Sequence, residues 1–155
     1  MEAIVRAGLN DPRTLPKPLM AASPIEGGFK ELHGCIVGRS QLDFPPDVIR
    51  EIHHDETGLE CLLSKVHIDA CIDQDTPVAE MAGLGIAYAN LVRDTLTASG
   101  VAGPFRIILS IREADEFQEA TTCIVRFHRV RPGQEWLRHD LDSYGSEALM
   151  VWDFE

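Results

Sequence analysis

His67, Asp69 and Cys71 stand at alternate positions in the run from Lys65 to Asp73. In an extended chain, side chains two apart share a face, so a strand here would line up an imidazole, a carboxylate and a thiol. Zinc accepts all three, but a structural site takes four ligands and a catalytic one three plus an open position. No second Cys/His cluster lies at matching spacing. The triplet is read as the polar side of a half-buried strand, and no metal is expected.

The remaining reactive residues are no better placed. In His53-His54-Asp55-Glu56, helical neighbours point about 100° apart, whereas metal pairs on helices sit at i and i+4; a solvated helix end is expected. Arg138-His139-Asp140 holds a His-Asp dipeptide with no further ligands near it in sequence. Ser110 lacks the Gly-x-Ser-x-Gly turn that exposes a nucleophilic serine. Cys71 or Cys123 could pair with His67 or His128, but a buried cysteine is ordinarily an inert thiol. Gly83-Leu84-Gly85 is half a dinucleotide fingerprint, falls inside a helical pattern and lacks the third glycine. No catalytic residue and no cofactor is assigned.

A basic cluster emerges only from strand register. Residues 105–112 and 121–130 read as two strands of a hairpin joined by the acidic stretch 113–120. A one-residue slip swaps the faces. Pairing Ile111 with Cys123, Leu109 with Val125 and Ile107 with Phe127 makes one unbroken apolar face. The opposite parity buries Arg126 and His128 without partners, which is costly. The chosen register gathers Arg106, Arg112, Arg126 and His128 on the other face, where His67, Asp69 and Cys71 join them if the strand over 59–73 shares the sheet. Like charges across a sheet repel. Either Asp69, Asp73, Glu147 or Asp153 neutralises the arginines, or water solvates them, or the face holds an anion such as a carboxylate or phosphate or an acidic partner segment, which arginine forks grip at two points.

The elements that must position these residues follow from the pattern. Residues 1–28 carry four prolines and three glycines and read as an arm, because proline blocks helix interiors and sheet ladders alike. Residues 29–155 read as a single domain. It begins with a strand over 29–39, whose Gly34 and Gly38 suggest a bulge or close backbone approach. A short helix follows Asp43-Phe44-Pro45-Pro46 and ends near Gly58. The strand over 59–73 comes next, with Val66, Ile68, Ala70 and Ile72 on its apolar side. The long helix, about 77–99, is capped by Asp75 or Thr76 and ended by Gly100. After the hairpin come a turn at Arg131-Pro132-Gly133, an irregular or helical stretch over 135–143 and a last strand over 147–154. The fold class is α+β: a mainly antiparallel sheet with the long helix packed on one face.

Composition bounds the function. The 155 residues carry 25 acidic and 14 basic side chains, a formal −11, a field that repels phosphate backbones and anionic membranes. Nucleic acid is not the expected partner. There is no apolar run near 18 residues to span a membrane. Met1-Glu2-Ala3-Ile4-Val5-Arg6 lacks the basic start and apolar core of a signal peptide, so the four cysteines are expected as buried free thiols in a reducing cytoplasm. Two readings of function remain. The first is a non-enzymatic binding or interaction domain, self-associating through its arm or a sheet edge, with an acidic surface suited to a basic protein partner. The alternative is a small-molecule enzyme or ligand-binding domain in which Arg106, Arg126, His128, His67 and Asp69 hold an anionic ligand. The alternative requires a concave pocket over the polar face; the first requires a flat or covered one.

Overall fold

The computed structural model describes residues 15–21, 24–41 and 55–155. The helix expected after Asp43, the His53-His54 pair and most of the arm lie outside them. The described elements run α1 (Lys17–Ala21), β1 (Phe29–Leu32), β2 (Cys35–Gly38), α2 (Glu56–Leu63), β3 (Val66–His67), a 3-10 turn (Asp69–Cys71), α3 (Val78–Ser99), β4 (Phe105–Arg112), β5 (Thr122–Arg129), a second 3-10 turn (Leu141–Ser143) and β6 (Ala148–Phe154). The main sheet has the order β3-β5-β4-β6, every neighbour antiparallel, and β1-β2 form a separate ribbon. The class is α+β, with α3 across one face of the main sheet.

The hairpin has the register that apolar continuity demands: Ile111 opposite Cys123, Leu109 opposite Val125, Ile107 opposite Phe127, and Arg106 opposite His128. Its apolar side packs under Met81, Leu84, Tyr88, Val92 and Leu96 of α3. Each such side chain taken fully from water contributes roughly 1.5–3 kcal/mol. Gly85 is where the helix meets the sheet: a Cβ there would lie 2.7 Å from Leu109 Cδ1 and 3.2 Å from Cys123 Sγ. Gly100 ends the helix in the left-handed region, at φ 69°. The expected side-chain cap at Asp75 or Thr76 is absent; Pro77 takes that place, its carbonyl accepting from Glu80 and Met81 N–H. Leu19 and Ile25, within the stretch read as an arm, are buried in the same core.

Two expected strands are corrected. The strand over 29–39 is a two-stranded ribbon, turned at His33 and Gly34 with φ of 51° and 82°. Positive φ at both central residues suits the twist of a two-residue hairpin. At Gly38 the backbone runs against the Pro24 carbonyl, leaving no room for a Cβ.

The strand over 59–73 is replaced by α2, two residues of β3 and a 3-10 turn. Asp55 starts α2 by accepting from Gly58 N–H at 2.7 Å, so Gly58 opens this helix rather than ending an earlier one. The edge of β5 explains how so short a β3 suffices. Asp69 Oδ1 takes Cys123 N–H at 2.8 Å. Ser64 Oγ donates to the Phe127 carbonyl and accepts from its N–H, both at 2.8 Å. Glu60 takes Arg129 N–H at 2.7 Å. Side chains thus satisfy backbone groups that a longer strand would otherwise have paired.

Cys35, Cys61 and Cys123 are buried free thiols, and Cys71 is half-buried and also free. Burial pushes all four up; Cys35 reaches about 11. Among the described residues no helix is long and apolar enough to cross a membrane.

Candidate functional site

The face of the sheet opposite α3 is not open. Ile108 on it is 1% exposed and His128 2%, because the connection from β5 to β6 folds back over them. That cover starts with a turn closed by an Arg131–Gln134 bridge, with Gly133 at φ 75°. Trp136 lies beneath the Arg126 guanidinium, 5.6 Å from ring centre to carbon. Further on, Tyr144 Oη accepts from Arg138 N–H at 3.1 Å while its ring sits 5.9 Å from the Arg138 guanidinium.

Between cover and sheet lies a cavity of about 630 Å³, which Arg106 and His128 line from below and Arg131, Arg138 and His139 from the cover. Pro132, Leu137, Leu141 and Val151 supply its apolar wall. A smaller cavity of about 260 Å³ lies next to it, holding Arg126, Ser110, Trp136 and Tyr144.

Charge in the main cavity is mostly spoken for. Arg106 donates through Nε and Nη2 to the two oxygens of Asp153, both at 2.7 Å. That bond holds the Asp153 carboxyl below its ordinary range. This is the internal neutralisation by Asp153 weighed from the sequence. Glu135 lies 3.1 Å from His139. Arg138 meets no carboxylate among the described residues, and neither does Arg126 in the smaller cavity.

His128 is different in kind. Its Nδ1 is 2.8 Å from the Arg129 carbonyl. A carbonyl only accepts, so Nδ1 carries the proton. Burial first, then the charges of Arg106 and Arg131, lower the ring's proton affinity, outweighing the Arg129 carbonyl and Glu60, which raise it. The ring is therefore neutral near pH 7, and Nε2 holds a lone pair. Nε2 is buried and has no partner among the described residues.

The cover is anchored by a network that sequence reasoning missed. Glu60 is 0% exposed. Its Oε1 accepts from Ile36 N–H at 2.6 Å and Arg131 Nη2 at 2.7 Å; its Oε2 accepts from Arg129 N–H at 2.7 Å and Arg131 Nη1 at 2.8 Å. Arg131 also reaches the Gly34 carbonyl at 2.7 Å. Gln134 accepts from the Thr57 hydroxyl and donates to Glu56. One carboxylate thus ties α2, the β1-β2 ribbon, the end of β5 and the start of the cover. With four donors on two oxygens it has no capacity left for a substrate proton, and its role is positional. The helix start at Asp55, with Glu56 in the first turn, is the signal in the sequence that points to α2, although residues up to Gly58 read there as the end of an earlier helix and 59–73 as a strand.

The five residues expected at one site separate into three places. Arg106 and His128 share the main cavity, with Arg126 in the smaller one. His67 pairs with Ile124, four residues from His128, roughly 13 Å along the strand. Asp69 belongs to the 3-10 turn; its Oδ1 is spent on Cys123 N–H and its Oδ2 lies 3.6 Å from His67 Nδ1. With Asp69 and Cys71 off the strand, the triplet does not share a face. Among the described residues no three His, Cys, Asp or Glu side chains converge as metal ligands.

No curated protein and no solved structure matches the chain. One family model does, and it spans sheet, cover and the whole of the chain together. The protein belongs to the Uncharacterized protein PM0498 family, whose model matches residues 1–155.

Proposed function

We propose that this domain binds a small anionic molecule with an apolar body in the cavity beneath the cover. The observation that carries the reading is the uncompensated cation there: Arg106 and Arg131 are each held by a carboxylate, whereas Arg138 meets none among the described residues. The cavity volume falls within the roughly 300–1,000 Å³ usual for small-molecule sites. Its wall of proline, leucine and valine favours an apolar body over a sugar or a free inorganic ion. A local guanidinium also offsets the −11 charge of the chain, which disfavours anions at long range.

Calorimetric titration with 3-phenylpropionate and 4-methylpentanoate tests this. Saturable binding is expected, weakened about tenfold or more by Arg138→Gln, since a hydrogen bond to a charged group is worth roughly 1.5–3 kcal/mol. Arg93→Gln, an exposed site on α3 paired with Asp94, should change nothing. Absence of binding, or equal binding to the Arg138→Gln variant, would overturn the reading.

A second reading is favoured by β6. This seven-residue edge strand, Ala-Leu-Met-Val-Trp-Asp-Phe, has no neighbour on its outer side among the described residues. Its one charge, Asp153, is turned onto Arg106. Exposed edges are usually blunted by lysine, proline or bulges, and β6 has neither lysine nor proline. The reading is self-association, with a second copy of the chain continuing the sheet.

A further inference from the structure

We propose that the ligand of the main cavity is a hydroxy acid, its carboxylate held by Arg138 and its hydroxyl donated to Nε2 of His128. The inference rests on the cavity being a small-molecule site, and it goes further by naming the group the ligand must carry beside its charge.

One buried acceptor is unsatisfied among the described residues. His128 is 2% exposed, and its Nε2 has no hydrogen-bond partner among the described residues. An orphaned polar atom of this kind is destabilising, and an aromatic side chain of similar shape would fill the position without that cost. The tautomer follows from Nδ1, whose 2.8 Å contact is with a carbonyl oxygen. Nε2 therefore presents a lone pair, and what completes it must be a donor.

Two arginines that line the cavity with the ring are turned to carboxylates. Arg106 stands directly opposite His128 in the ladder, but its Nε and Nη2 are fixed on Asp153. Arg131 spends both terminal nitrogens on Glu60 and the Gly34 carbonyl. The same two guanidiniums set the donor's charge. Each is already matched by a carboxylate, Asp153 and Glu60, so a neutral hydroxyl completes the ring without adding a charge that nothing balances. With Arg138 on the cover as a cation that meets no carboxylate among the described residues, the apolar wall lies beside two polar contacts of fixed character, an anion and a hydroxyl donor.

The probes are two matched pairs on the full chain: phenyllactate against 3-phenylpropionate, and 2-hydroxy-4-methylpentanoate against 4-methylpentanoate. In each pair the hydroxy acid should bind roughly tenfold or more tightly, because a site built to pair a hydroxyl rejects the analogue that lacks it. His128→Phe should bring the hydroxy acid down to the affinity of its partner and leave the unsubstituted acid unchanged. Nitrogen-15 spectra of the wild-type imidazole give a readout that needs no variant to fold. The Nε2 signal should be of the unprotonated type in the free protein, and should shift on adding phenyllactate but not 3-phenylpropionate. Equal affinities within both pairs, or an Nε2 that already carries the proton, overturn the hydroxyl assignment and leave the cavity reading standing. Failure of all four acids to bind overturns both.

Discussion

Glu60 joins α2 to the β1-β2 ribbon, the end of β5 and the start of the cover through Ile36, Arg129 and Arg131. A buried ion pair is often replaceable by apolar side chains, but removing one partner alone typically costs 3–5 kcal/mol. Glu60→Ala should reach that range in urea denaturation followed by circular dichroism, because it strands the Arg131 guanidinium and two backbone N–H groups, those of Ile36 and Arg129. The double variant Glu60→Leu with Arg131→Leu should recover only part of the loss, since the two N–H groups remain unpaired. A single-variant loss below about 1 kcal/mol would show that water takes over the carboxylate's role. None of this was visible in the sequence. An isolated glutamate between Leu59 and Cys61 looks like a surface residue until α2, β2 and β5 are brought around it.

At the scale of elements, α3 and the β4-β5 hairpin were legible because each has a long, unbroken period. Their crossing carries a sharp constraint. Alanine normally gains roughly 1 kcal/mol over glycine inside a helix. At Gly85 the new methyl would press on Leu109, itself 1% exposed, and overpacking of this kind costs typically 1–3 kcal/mol. Gly85→Ala should therefore lower the denaturation midpoint. Asn90→Ala, at an exposed position of the same helix, should hold or raise it. A stabilised Gly85→Ala variant would mean the helix sits farther from the sheet. The stretch over 59–73 departs from its expected strand because its alternation is local, whereas its pairing is decided by the edge of β5. Ser64, Asp69 and Glu60 satisfy that edge with side chains, and a hydrophobicity pattern does not register such bonds.

At the scale of the whole molecule, two surfaces compete to explain the domain, the cavity under the cover and the free edge of β6. They make separable predictions. Self-association through β6 should give a scattering mass of twice the chain at high concentration, with the outward amides of β6 protected from exchange only in that state. A mass of one chain at all concentrations excludes this, and the cavity is untouched by the result. The high negative charge opposes association at low ionic strength, so the doubled mass should become more populated as salt is added.

By itself the sequence determined the α+β class, the long helix, the hairpin and its register. Each depends on apolar residues repeating at the period of one element, and burying that face is the largest favourable contribution to folding. It also placed Arg106 and His128 side by side, because register alone pairs them. Only the tertiary structure decided that the polar face is roofed, that Asp153 claims Arg106, that His67 and Asp69 belong elsewhere, and that Arg138 reaches the cavity. Those outcomes depend on contacts between segments far apart in sequence and on the irregular path from Arg131 to Tyr144. A path of that kind has no period to read; it is set by hydrogen bonds to Glu60 and by the aromatic contacts of Arg126 and Arg138.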